Sequence, residues 1–209
     1  MLKTLSRVLA PLLTILLSAC SVFGTAGVKE PRHKTILTDG KISIRQYAPV
    51  MLAQVSSSSE GDTSTNPEFR ALFRYISGDN RQNAKIKMTA PVINQSEKIK
   101  MTAPVITSTA PQNMTMAFFL PQKYNAGNAP QPTNRKIKLV SRPAMTMAVI
   151  RFSGSTSKLR VKQMTDKLTA WIKQSRYKIT GPAVVAMYNP PWTLPMLKRN
   201  EIQIPVSKK

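Results

Sequence analysis

Lys41-Ile42-Ser43-Ile44-Arg45-Gln46-Tyr47-Ala48-Pro49-Val50 opens a pattern that the chain uses twice. Polar and apolar residues alternate from Lys41 to Tyr47, as in a half-buried strand, and Ala48-Pro49 breaks the run before a returning strand over Val50 to Val55. A Ser/Gly/Thr-rich loop leads to Asn66-Pro67-Glu68, which predicts a helix start with an N-cap, a first-turn proline and an acid at the positive end. Phe69, Leu72, Phe73 and Ile76 then recur at helical spacing as a core-facing stripe, with Arg70 and Arg74 at its rim, and Gly78 is placed to stop the helix. Strands are expected around Lys98 to Val105 and over Met114 to Leu120. The same order returns in the second half. Lys136 to Val140 and Met145 to Phe152 read as strands, Ser155-Thr156-Ser157 caps a helix, and Ala183 to Tyr188 and Glu201 to Val206 read as closing strands. The apolar stripe of that second helix is Val161, Met164, Leu168, Trp171 and Ile172. Two strand–strand–helix–strand–strand modules predict an α+β fold with a pseudo-two-fold axis: a distorted antiparallel β-barrel or sheet flanked by two helices. The proline-rich stretch 121–132 links the halves, and because one half alone would bury too little, residues 38–209 are expected to form one domain.

Composition narrows the chemistry. The 209 residues hold one Cys and one His, which excludes an intramolecular disulfide framework and a structural zinc site. A Cys/His or Ser/His nucleophile pair would have to use His33. The 9 acids are scattered without an obvious catalytic pair, so a binding protein is expected rather than an enzyme. Against them stand 31 Lys and Arg residues, giving a formal charge of +22. Residues 20–132 carry 13 basic and 7 acidic side chains, and residues 133–209 carry 16 and 2. That field suits anionic partners, among them phospholipid headgroups and carboxylated small molecules.

The first residues point to an envelope address. Lys3 and Arg7 form a basic n-region, and the apolar run from Val8 to Leu17 is too short to span a bilayer, as in a secretory signal. Leu17-Ser18-Ala19-Cys20 looks like a bacterial lipobox, which predicts removal of residues 1–19 and acylation of Cys20. Ser21 rather than Asp after the cysteine favours the outer membrane, facing the periplasm. An envelope address removes nucleic acid from the expected partners. Residues 20–37, with His33 among them, lack clear periodicity and read as a flexible tether.

Lys85-Ile86-Lys87-Met88-Thr89-Ala90-Pro91-Val92-Ile93 returns thirteen residues later as Lys98 to Ile106, identical at all nine positions. Together with Tyr75-Ile76-Ser77-Gly78, Phe118-Phe119-Leu120-Pro121, Ile150-Arg151-Phe152-Ser153-Gly154, Tyr188-Asn189-Pro190-Pro191 and Arg199-Asn200-Glu201-Ile202, this motif resembles the SOUL haem-binding protein family. The resemblance runs from about Thr38 to Val206. It implies non-covalent binding of haem or a related anionic tetrapyrrole, without catalysis, in a hydrophobic cleft beside the first helix. Carried to this chain, the implied ligand-binding positions are Phe69, Arg74 and Tyr188; helical spacing adds Arg70, and Phe73, otherwise a core residue, completes the candidate set. Phe69 would meet the ring, and Arg70 and Arg74, one turn apart, would clamp the propionates. The family is in turn similar to effector-binding domains of drug-responsive regulators, which hold large planar ligands. Two other functions compete. One is a structural lipoprotein that touches anionic envelope components through its basic second half. The other is a Cu(I) binder built from Met114-Thr115-Met116 and Met145-Thr146-Met147, whose paired thioethers share a strand face. Met in apolar strands is more often core than ligand.

Overall fold

A computed structural model describes residues 29–57, 67–96, 114–189 and 193–209. The leader with Cys20, the loop before the first helix, the second copy of the repeat and Pro190-Pro191 lie outside the described residues. The elements are, in order, β1 (His33–Asp39), β2 (Ile42–Tyr47), β3 (Val50–Ser57), α1 (Pro67–Ser77), β4 (Thr89–Ser96), β5 (Met114–Phe119), β6 (Lys138–Arg142), β7 (Met145–Phe152), α2 (Lys158–Gln174), β8 (Tyr177–Ile179), β9 (Val184–Met187) and β10 (Asn200–Lys208). All ten strands belong to one antiparallel sheet that does not close, so of the barrel and sheet alternatives the open sheet is realised.

The strand order is β1-β2-β7-β10-β9-β4-β5-β3-β6, with β8 also on β10. Exchanging β2 with β6, β7 with β3, β10 with β5 and β9 with β4 reverses this order onto itself, apart from β1 and β8. The pseudo-two-fold axis therefore passes between β4 and β9. It also explains why Ala48-Pro49 is not a hairpin. β3 does not return along β2 but pairs with β5 and β6, while β2 pairs with β7. The two-residue corners at Ala48-Pro49 and Pro143-Ala144 each hand the chain to the opposite half, so each half is completed by a strand of the other. Proline, lacking a ladder N–H, suits a point where pairing switches partner.

Both helices cover the same face of the sheet. Ile93 pairs with Ala186 and Val92 with Met187, so β4 and β9 turn matching residues to matching faces. On the helix side, Leu72, Tyr75 and Ile76 of α1 pack with Met51, Val55, Met116 and Phe118. Leu168 and Ile172 of α2 pack with Ile44, Ile150, Ile202 and Ile204. Each such fully buried side chain contributes about 1.5–3 kcal/mol. Gly78 ends α1 at φ +124°, with Asp79 N–H donating to Arg74 O at 3.0 Å, a backbone turn that glycine adopts without strain. Ser157 caps α2 by accepting from Arg160 N–H. The linker 121–132 docks on α1, where the Tyr75 hydroxyl donates to Pro130 O at 2.8 Å and Ala129 joins the core.

The opposite face is buried too, although no helix of the described residues covers it. In the strand order β2 and β5 stand five places apart, about 24 Å in a flat sheet. Yet Tyr47 of β2 and Phe119 of β5 line the same small cavity, together with Met147 and Gln203. The sheet therefore curls, and this face is its concave side.

Three sequence expectations change. Residues 33–37, read as tether, form an edge strand that pairs with β2 from His33–Tyr47 to Asp39–Ile42. Its residues are all exposed, so it carries no burial pattern and is held by backbone pairing, with the Trp171 indole N–H donating to Asp39 Oδ2 at 2.8 Å at its end. The sheet takes Thr89 to Ile93 of the first repeat copy as β4, whereas the expected strand around Lys98 lies outside the described residues. Phe73, expected in the core, is 49 % exposed. Tyr75 takes its place and turns the buried stripe toward the linker.

Candidate functional site

The outer side of α1 presents an aromatic pair. Phe69 and Phe73, one turn apart, stack with ring centroids 6.2 Å apart and planes 11° from parallel. Phe69 is half-buried and meets Phe118 of β5 edge-on at 5.3 Å, which anchors the pair to the core. Arg70 and Arg74 are exposed, at about 60° and 100° round the helix from Phe73. Among the described residues neither forms an ion pair or hydrogen bond through its side chain. An apolar plate beside two exposed guanidinium groups can hold a flat ring through its face and two carboxylates through charge. Among the described residues no histidine stands there. His33 sits in β1 at the opposite end of the sheet from β3 and β5, which carry α1.

Tyr188 does not join these four residues. It follows β9 on the concave face and is locked into a buried polar cluster around Glu201, which is 0 % exposed. The Tyr188 hydroxyl donates to Glu201 Oε2 at 2.7 Å, and Gln203 Nε2 donates to the same oxygen at 3.0 Å. Arg45 Nη1 reaches both carboxylate oxygens at 3.1 and 3.0 Å, and Arg199 Nη2 reaches Oε1 at 2.9 Å. Arg199 also binds Glu30 at 2.7 Å and lies over the Tyr188 ring at 3.9 Å. Burial opposes ionisation of Glu201, but the Arg45 charge, the Tyr188 hydroxyl and Arg199 outweigh it and hold the carboxyl below its ordinary range. Burial, and then the Glu201 charge, push the Tyr188 phenol far above its usual value. With two guanidiniums against two carboxylates the cluster is internally balanced and fully hydrogen-bonded, as a buried network must be.

Sequence reasoning missed this cluster because Arg45 and Glu201 are 156 residues apart. One signal was present: a lone acid in the apolar strand Glu201 to Val206. The quoted motifs turn out to be its scaffold. Asn189 Oδ1 accepts from Arg199 N–H at 2.6 Å, and Asn200 Nδ2 donates to Gly154 O at 2.9 Å. The other quoted motifs meet under α1, where Tyr75, Ile76, Phe118 and Leu120 share one core. The methionine pairs stay apart, with Met116 under α1 and Met147 on the concave face. His33, now in β1, stands 5.0 Å from the Tyr47 ring and lines an open cleft of about 590 Å³ with Arg45, Arg151 and Arg199.

Comparison with known proteins finds relatives of this chain. Heme-binding protein 2 of Homo sapiens is 29% identical over 164 residues, covering 77% of this chain and 75% of that protein. Its Mus musculus namesake is 29% identical over 119 residues, or 56% and 55% of the two chains. The EcmrR C-terminal domain superposes with a TM-score of 0.60 at 13% identity, over 80% of this chain and 98% of that one, a likeness of fold alone. A family model described as SOUL heme-binding protein matches residues 28–97 and 93–205, one copy of the tandem repeat falling in each segment. By that match the chain belongs to the SOUL heme-binding protein family.

Proposed function

We propose that this protein binds haem or a related anionic tetrapyrrole without covalent attachment, on the outer side of α1, as a buffer or carrier rather than an enzyme. The observation that carries the reading is Phe73: a large aromatic ring, 49 % exposed, stacked on an anchored Phe69 and flanked by two exposed arginines with no ion-pair partner among the described residues. Membership of a heme-binding family supplies the ligand class. Packing of the ring face on Phe73 and Phe69 would supply affinity, and Arg70 and Arg74 would set orientation through the propionates. Iron would receive no histidine there. The lipobox at Cys20 supports an anchored protein at the outer membrane, where acyl burial of about 0.8 kcal/mol per methylene holds it.

Titration of haemin into purified protein, followed by its Soret band, tests the reading. Arg70→Ala/Arg74→Ala should weaken binding by about 1–3 kcal/mol, the range for charged hydrogen bonds, with little loss of stability. A porphyrin diester, lacking propionate charge, should bind wild type and variant equally. Unchanged haemin affinity in the double variant would overturn the clamp. Unchanged affinity in Phe73→Ala as well would move the site off α1.

A further inference from the structure

The two halves of the concave face are filled differently. Counted from the corners at Ala48-Pro49 and Pro143-Ala144, the strand registers place Arg45, Glu201 and Gln203 at the positions of Val140, Thr115 and Ala117 in the other half. Large, mutually bonded polar groups thus pack one side, and small residues stand at the equivalent places on the other. There they leave a cleft of about 330 Å³, walled by Leu52, Ile93, Ala117, Val140 and Val184. That volume lies at the small end of the range for ligand pockets.

One charge faces this apolar cleft. Arg142, the last residue of β6, lines it and also the adjoining small cavity beside Tyr47 and Phe119. Arg45 and Arg199, comparably withdrawn from water, are both paired with carboxylates. Arg142 forms no ion pair or hydrogen bond through its side chain among the described residues. Burial lowers its pKa by more than the nearby Tyr47 raises it. A withdrawn, unpaired guanidinium destabilises a fold unless something supplies the missing anion.

We propose that the cleft between β3, β4, β5 and β6 binds a small apolar monocarboxylate, its carboxylate on Arg142 and its hydrocarbon body along Leu52, Ile93, Ala117 and Val140. This site lies on the opposite face of the sheet from α1 and does not depend on the tetrapyrrole reading. A single guanidinium suits one carboxylate, and the lining is too apolar for a polyanion.

Calorimetric titration of the purified protein with decanoate, below its micellar concentration, tests the proposal. Decanoate should bind at one site and raise the thermal midpoint by mass action. Decanol, and decanoate with Arg142→Gln, should each bind about tenfold more weakly or worse. Arg142→Gln should fold at least as stably as wild type, because it removes a partly buried charge that has no ion-pair partner among the described residues. Ala117→Leu, which fills the cleft and keeps the charge, should abolish binding. Haemin affinity should be unchanged in Arg142→Gln, and decanoate affinity unchanged in Arg70→Ala/Arg74→Ala. No decanoate binding by wild type, equal affinity in Arg142→Gln, or displacement of haemin by decanoate would each overturn the assignment.

Discussion

Replacing Glu201 by Gln should be among the most damaging conservative changes in this protein. Both carboxylate oxygens only accept: Oε1 from Arg45 and Arg199, Oε2 from Arg45, Tyr188 and Gln203. An amide has one acceptor oxygen, so either orientation turns an NH2 toward a guanidinium or toward the Gln203 amide. Arg199 keeps Glu30 as a counter-ion, but Arg45 retains only Ser43 Oγ at 3.0 Å and the Tyr47 hydroxyl at 3.4 Å. Removing one member of a buried pair costs about 3–5 kcal/mol, since the survivor remains buried and uncompensated. For a chain of this size that corresponds to a drop of roughly 6–20 °C in thermal midpoint. Urea unfolding at neutral pH measures it directly. The pH dependence gives a second check. The folded-state pKa of Glu201 lies below the unfolded value of 4.5, so its contribution is complete above that value and is lost as pH falls through the folded-state pKa. The stability gap between wild type and Glu201→Gln should therefore be widest near neutrality and narrow on acidification. A loss under about 1 kcal/mol at pH 7, the range of exposed pairs, would refute the view that this network is withdrawn from water. So would a gap that does not change with pH.

Two further outcomes follow from the same structure. Asn80, 1 % exposed, donates to Tyr75 O and Ala84 O and accepts from Ala84 N–H, so Asn80→Ala should cost about 1–3 kcal/mol in urea unfolding by stranding backbone groups beyond α1; a neutral effect would mean that water replaces the side chain. If Cys20 is the lipid attachment point, mass analysis of the amino-terminal peptide from membranes should find it starting at an acylated Cys20, and Cys20→Ser should lose metabolic palmitate labelling; label retained in that variant would place any acylation elsewhere.

What the sequence determined was everything set by short-range periodicity. Alternation located β2, strand-like stretches bounded by local breakers located β3, β5, β6, β7, β9 and β10, and helical spacing located both helices. Their repeated order gave the duplicated α+β architecture, because side-chain period and local breakers act over a few residues. The family motifs were legible for the same reason. Pairing was not. Ala48-Pro49 looks like a turn in either topology, and only the packed sheet shows β3 crossing to β5 and β6 while β2 joins β7. Phe73 shows a second limit. Its spacing fits the apolar stripe, but the linker contact of Tyr75 rotates the helix so that Phe73 stays half-exposed, beside the two arginines proposed to bind propionates. β1 had no pattern to read, since an exposed edge strand is held by backbone bonds that every residue can make. The concave face was the least legible. Whether an arginine there is ion-paired, as Arg45 is, or without an ion pair among the described residues, as Arg142 is, depends on which residue stands across the curl of the sheet, far away in the chain. Long-range Coulomb partners leave no local trace, so only the tertiary structure could decide it.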